Sequence, residues 1–266
     1  MCLVLFAFDP ESQRPLVVAA NRDEFYARPA KSAHHWQEAP ELLAGRDLEA
    51  GGTWLGVTTS GRFATVTNFA EDAPNELAEK SRGELVERFL RTDVRAHDYA
   101  QRIHGPDYRG FNLLLFDGER LVYTSNRGIT RDLHAGVYGL ANAELGATWP
   151  KVVSGTRALA HIVANNGGSD ELIDLLRNDK QPADELLPKR GRPIELERRA
   201  APCFIRGEEY GTRASTAVIF EKTPGNPSTI EFTEQVYLPG GMASDRIEFR
   251  IEINRTRRGS RRKEAH

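Results

Sequence analysis

The chain predicts an α+β fold, a single domain of stacked antiparallel sheets covered by helices. Three observations predict it. Short apolar runs, paired through turn-rich linkers, stand at both ends of the 266-residue chain. These runs are apolar nearly throughout instead of alternating, so both faces of the sheets are covered. Helical periodicity falls between them, at residues 81–90 and again at 150–176.

Residues 3–8 and 16–20 flank Asp9-Pro10-Glu11-Ser12-Gln13-Arg14-Pro15 and read as an antiparallel pair. Residues 52–58 and 63–68 flank Thr59-Ser60-Gly61-Arg62 and read as a second hairpin, while residues 25–50 read as irregular. Ser81-Arg82-Gly83-Glu84 has the capping-box spacing, with Leu85, Val86, Phe89 and Leu90 following on one helical face. Residues 111–116 and 121–125 form a third hairpin around Asp117-Gly118, and residues 136–142 a further strand. Pro150 opens a helix with Val152, Leu159, Ile162 and Val163 on its buried side, stopped by Asn165-Asn166-Gly167-Gly168. Ser169 reads as the cap of a short helix carrying Leu172, Ile173 and Leu176. Residues 179–200, proline-punctuated and charged, read as a surface excursion. Strands resume at 203–206, 214–220, 229–234 and 246–253. One domain over 1–253 is expected, followed by a basic, disordered tail at 254–266.

Composition narrows the function classes. The net charge of −2 gives no global attraction to nucleic acid or an anionic membrane, so no nucleic-acid partner is expected. Two cysteines, Cys2 and Cys203, exclude a disulfide framework and fit a reducing compartment. The apolar run after Met1 is short, lacks a preceding basic residue and ends at Asp9-Pro10, unlike a secretory signal. No stretch reaches the ~18 apolar residues of a membrane span. A soluble, cytoplasmic chain is the expectation. Seven scattered histidines, without His-Glu-x-x-His or Cys-x-x-Cys, point to no metal site.

Cys2 is the leading candidate for chemistry. With Met1 removed, its α-amine, titrating near ~8, becomes a base beside the thiol. The alternative is a small apolar residue at a strand start. Asn21-Arg22-Asp23-Glu24 ends the second strand, which returns beside residue 2; charges there tune a thiol. Asn21, Asn68, Asn126 and Asn142 all stand at strand ends, where an uncharged amide donates to an oxyanion or makes a turn. Trp54, within Gly51-Gly52-Thr53-Trp54-Leu55-Gly56, reads as a pocket wall, with Phe69 and Tyr26 as further apolar lining. Arg213 begins an apolar strand and Arg127 sits in a turn; both suit a carboxylate or phosphate.

These pieces occur in order with Thr67-Asn68-Phe69, Ser81-Arg82-Gly83-Glu84-Leu85, Gly110-Phe111-Asn112-Leu113-Leu114, Ser125-Asn126-Arg127-Gly128, Gly139-Leu140-Ala141-Asn142 and Tyr210-Gly211-Thr212-Arg213. Together they resemble the NRDE family, the transport and Golgi organisation protein 2 homologues, over residues 1 to about 253. The resemblance implies a four-layer αββα sandwich of two antiparallel sheets, similar to the N-terminal nucleophile hydrolases. Its nearest analogy is to cysteine amidases that cleave penicillin V and conjugated bile salts. It further implies Cys2 as nucleophile and base, with Arg22 and Asp23 beside it. Asn68 and Asn142 become the oxyanion donors and Arg213 the distal arginine. Asn21, Trp54, Phe69 and Arg127 are the expected ligand-binding residues.

Two functions are therefore expected. One is an amidohydrolase acting on a non-peptide C–N bond of a small acyl substrate, with no required cofactor. The other is a non-catalytic carrier, because eukaryotic members of the resembled family are linked to haem trafficking and to lipid or acyl-coenzyme A homeostasis. In that case haem is a transported ligand.

Overall fold

The computed structural model describes residues 2–70, 78–188 and 193–254. Met1 and nearly all of the predicted tail, from residue 255 onward, lie outside the described residues.

One sheet contains β1 (Cys2–Phe8), β2 (Leu16–Phe25), β10 (Gly136–Leu140), β11 (Tyr210–Glu221), β12 (Thr229–Leu238) and β13 (Met242–Glu252), in the order β10-β1-β2-β11-β12-β13. The other is a seven-stranded meander of β3 (Ala30–Trp36), β4 (Ala39–Asp47), β5 (Leu55–Thr58), β6 (Phe63–Asn68), β7 (Phe111–Phe116), β8 (Leu121–Ser125) and β9 (Arg131–Asp132). All their ladders are antiparallel.

Strand parity sorts the side chains into layers. Val4, Phe6 and Phe8 of β1 and Leu16, Val18 and Ala20 of β2 meet Leu43, Leu55, Val57, Phe63 and Leu114 between the sheets. The outer face of the meander packs on α1 (Arg82–Leu90) and α2 (Ala96–Gln101), through Leu85, Val86, Phe89, Leu90 and Ala96. The alternate residues Leu3, Leu5, Val17 and Ala19 face the other way, onto Val152 and Leu159 of α3 (Pro150–Ala164) and Leu172 and Leu176 of α4 (Ser169–Leu176). Each fully buried Leu or Phe contributes about 1.5–3 kcal/mol. The result is helix, sheet, sheet, helix: the αββα sandwich.

Several local expectations are corrected. Residues 25–50 are not irregular but contain β3 and β4. The β3 sequence Ala30-Lys31-Ser32-Ala33-His34-His35-Trp36 has few β-favouring residues and is held by pairing with β4. Residues 203–206 form no strand; their backbone turns to Asn178 O, 3.0 Å from Phe204 N, and to Thr212 Oγ1, 2.9 Å from Ile205 N. Residues 179–200 include α5 (Ile194–Ala200), and α2 has no counterpart in the sequence reading. The cap of α4 falls on Gly168, whose N–H donates to Glu171 Oε2 at 3.0 Å, so Ser169 is already helical. The strand beginning at Gly136 stops at Leu140, two residues before Asn142.

Candidate active site

Pairing register aligns three neighbouring strands at the start of β1. Cys2 lies directly opposite Arg22, and Arg22 opposite Ala214. Directly opposed residues project from one face of a sheet. Cys2 and Arg22 thus follow Val4 and Ala20 toward the space between the sheets, while Asn21 and Asp23 follow Val17 and Ala19 toward the outer helices.

The second strand is longer than its apolar run, so Asn21-Arg22-Asp23-Glu24 lies inside β2. Asp23 pairs with Thr212, and the register then shifts before Ala214. Arg213 is the extra residue of this β-bulge. A bulge re-aims the local side chain, and Arg213 lines the inter-sheet cavity beside Arg22.

That cavity, of about 250 Å³, is lined by the predicted residues Cys2, Arg22, Asp23, Trp54, Asn68 and Arg213. Residues that the sequence reading missed complete it: Arg28, Lys31, Arg46, Asp47, Arg82 and Glu234. Most of these come from the stretch read as irregular, where charge alone gave no signal of convergence. The start of α1 closes one side, because Gly83 packs against Thr53; a Cβ on Gly83 would stand 3.0 Å from the Thr53 carbonyl oxygen.

Cys2 is buried, with 9% of its surface exposed. Burial pushes its thiol above the ordinary range, and the Asp23 carboxylate adds to this, while an Asp23 backbone hydrogen bond and the Arg22 charge oppose it. Burial also raises the Asp23 carboxyl, against the pull of Lys151, the Thr212 hydroxyl and Arg22. The Thr212 hydroxyl donates to Asp23 Oδ1 at 2.7 Å. Burial would raise Asp47 as well, but hydrogen bonds from Arg28 and from the Ala50 and Glu49 amides outweigh it, and its pKa is lowered. Asp47 pairs with Arg28 at 2.7 Å and, more distantly, with Arg22 at 3.8 Å.

Asn68 and Asn142 are brought together. Asn142 Nδ2 donates to the Asn68 carbonyl at 2.7 Å, and the Asn142 carbonyl accepts from Ala70 N at 2.7 Å. The β1–β10 register pairs Val4 with Leu140; continued by two residues, it brings Asn142 level with Cys2. Asn142 Oδ1 is buried without a hydrogen-bond partner among the described residues. Asn68 lines the cavity and Asn142 is outside its lining.

The remaining predicted residues lie elsewhere. The buried Asn21 amide donates to Leu176 O at 3.0 Å and Cys203 O at 2.8 Å, and accepts from Ser215 Oγ at 2.6 Å. It ties the sheet to the outer helices and does not face the cavity. Phe69 follows β6 and pairs by its N–H with Gly110 O at 2.9 Å; Arg127 sits in the turn after β8. Neither lines the cavity, and nor does Tyr26, whose hydroxyl donates to Thr212 O at 3.3 Å. Among the described residues, no cluster of three or more histidine, cysteine or carboxylate side chains is arranged for a metal ion. No described helix is long and apolar enough to cross a membrane.

A match to the family described as Transport and Golgi organisation 2 spans residues 1–239. The chain belongs to this family. Its relatives include the Transport and Golgi organization protein 2 homolog of Bos taurus, 36% identical over 282 residues, 95% of this chain and 100% of the relative. The Homo sapiens homolog is 36% identical over 248 residues, covering 83% and 89% of the two chains. Transport and Golgi organization protein 2 of Drosophila melanogaster is 29% identical over 255 residues, covering 83% and 88%.

Two solved structures share the architecture. The Caenorhabditis elegans ortholog of N-acylethanolamine-hydrolyzing acid amidase matches with a TM-score of 0.51 at 11% identity, over 85% of this chain and 94% of its own. The C2A mutant of the conjugated bile acid hydrolase from Clostridium perfringens matches with a TM-score of 0.50 at 9% identity, over 96% and 93%. The chain therefore shares with these two structures an αββα, N-terminal nucleophile hydrolase-like fold.

Proposed function

We propose that the chain is an N-terminal-cysteine amidohydrolase acting on a non-peptide C–N bond of a small acyl substrate. The observation that carries this reading is the register: Cys2 sits at the wall of an inter-sheet cavity, directly opposite Arg22 and beside Asp23. Removal of Met1 frees the Cys2 amine. In the reaction that follows, this amine takes the thiol proton and sulfur attacks the substrate carbonyl carbon. A C–S bond forms and the carbonyl π pair moves to oxygen. The Asn68 amide at the cavity wall steadies that oxyanion, and Asn142, bonded to the Asn68 carbonyl, positions it. The oxyanion collapses, the C–N bond breaks, and the amine proton passes to the departing nitrogen. Water then adds to the thioester and releases the acid. Arg22 and Arg213 set the field around sulfur, and Trp54 walls the acyl group.

Intact-mass spectrometry after exposure to an activated acyl donor tests this. A chain lacking Met1, one acyl mass heavier on Cys2 and unmodified in Cys2→Ala, is the expected result. Retained Met1, or an acyl group elsewhere, ends the reading.

A carrier for haem or an acyl-coenzyme A or other lipid ligand is the second reading. The cation-rich cavity wall, which suits carboxylates and phosphates, supports it. Its size weighs against haem, because pockets for drug-sized ligands run to roughly 300–1,000 Å³. A saturable haem titration weakened by both Cys2→Ala and Arg213→Ala would favour it.

A further inference from the structure

The cavity holds an imbalance of charge. Six cations line it, Arg22, Arg28, Lys31, Arg46, Arg82 and Arg213, against the four acids Asp23, Glu24, Asp47 and Glu234. The acids are already engaged. Asp47 takes Arg28 at 2.7 Å, and Asp23 takes the Thr212 hydroxyl at 2.7 Å. Glu24 Oε1 accepts the Phe25 N–H at 2.9 Å. The buried Glu234 accepts the Ala33 N–H at 2.7 Å, and burial pushes its carboxyl toward the neutral form. Arg46 turns to Glu38, outside the lining, at 2.7 Å.

Arg213 and Lys31 make no ion pair among the described residues. Arg213 donates from Nη1 alone, to the backbone carbonyls of Phe25 and Arg28. Those acceptors are uncharged, and its Nε and Nη2 have no hydrogen-bond partner among the described residues. Arg22, its neighbour across the bulge, has only the 3.8 Å contact to Asp47 as an ion pair. Two guanidinium groups thus line the wall that carries Cys2 and repel one another, with Glu24 and Asp47 offsetting the repulsion only in part. An anion between them would remove the repulsion and satisfy both forks. The apolar lining, by contrast, is confined to Ala30, Trp54, Val66, Ala214 and Val236, too little for a long acyl chain.

We infer that the substrate is a small amide bearing an anionic group, a carboxylate or phosphate, close to the scissile bond and seated between Arg22 and Arg213. This rests on the reading of the cavity as the reacting site.

Calorimetry on Cys2→Ala, which has no nucleophile, reads the seat without hydrolysis. The probes are succinamate, with its carboxylate on the acyl side, N-acetylglycine, with it on the amine side, and neutral butyramide. At least one anionic amide should bind roughly 10- to 100-fold more tightly than butyramide, the range of charge-assisted hydrogen bonds. The preference should shrink in Cys2→Ala/Arg213→Gln, and, without further mutation, as KCl rises from 50 to 500 mM. Inorganic phosphate displacing the bound amide at lower concentration than acetate assigns the seat to phosphate, and the reverse order to carboxylate. Equal binding of charged and neutral amides, binding of none, or a preference untouched by both salt and Arg213→Gln overturns the inference. Failure of the hydrolase reading would look different: the preference would persist while the wild type formed no Cys2 adduct.

Discussion

Cys2 and Cys203 share burial and a free thiol, and differ in everything that makes a thiol useful. Burial raises both pKa values, that of Cys203 to about 11. Cys203, 4% exposed, packs in the outer layer with Leu172 and Leu176, its Sγ 3.8 Å from the Lys151 carbonyl oxygen. Cys2 is on the inner face, where the cavity begins and Arg22 stands opposite it. Burial and a raised pKa thus fail to separate an inert structural cysteine from a candidate nucleophile. Access and the charges around sulfur separate them.

Alkylation should show the largest difference. Iodoacetamide at pH 8 should label Cys2 and leave Cys203 essentially untouched, because Cys2 lines the cavity while Cys203 is packed into the outer layer. Peptide mass spectrometry of the wild type, Cys2→Ala and Cys203→Ala checks it. The adduct should vanish in the first variant and persist in the second. Labelling of Cys203 ahead of Cys2 would break the comparison. Labelling of Cys2 should also quicken about tenfold per pH unit below its thiol pKa, since only the thiolate attacks.

The sequence carried the frame well and the walls of the cavity poorly. Apolar runs such as Leu3-Val4-Leu5-Phe6-Ala7-Phe8 announce a two-sided strand, because each parity class has its own core to enter. The pairing of Cys2 with Arg22 was equally legible, since the turn between them fixes which strand end returns to residue 2. Arg28, Lys31 and Asp47 were not. Their segment lacks apolar periodicity, and it is strand pairing, within the β3–β4 hairpin and of β4 with β5, that makes it β3 and β4. Asn21 and Phe69 were misplaced because a motif identifies neighbours in sequence but not the face each occupies. A one-residue step along β2 turns Asn21 to the helices and Arg22 to the cavity. The bulge at Arg213 was hidden for the same reason: nothing local in Tyr210-Gly211-Thr212-Arg213 states that two residues will oppose one.

Thr212 offers an intermediate effect on the wall behind Cys2. Its buried hydroxyl donates to Asp23 at 2.7 Å and accepts from Ile205 N at 2.9 Å. Thr212→Val keeps the shape and leaves both partners short, so a loss of about 1–3 kcal/mol is expected in urea unfolding. An unchanged midpoint would mean that water or a backbone shift replaces the hydroxyl.

The smallest effect is the most specific, because Asp23 raises the pKa of both thiols. Burial lifts its own pKa above the unfolded value of about 3.9. Between those two values the folded chain holds more protons than the unfolded one. Its contribution is therefore fully present at low pH and is lost as pH rises from about 4 through the folded pKa, at no more than about 1.4 kcal/mol per pH unit. Asp47, lowered by Arg28 and its turn amides against its burial, acts oppositely: its stabilisation is present above about 4 and fades as pH falls through its folded value. Asp23→Asn should consequently flatten the decline above pH 4 and leave the acid-side loss in place. The same variant should hasten alkylation at both cysteines, with Cys2 still ahead because only Cys2 lines the cavity. Urea unfolding from pH 3 to 8, alongside alkylation rates, measures both. If the stability profile is unaltered while Cys2 reacts faster, Asp23 acts on the thiol through its charge without itself titrating in this range. If neither moves, the difference between the two cysteines owes nothing to Asp23 and rests on access alone.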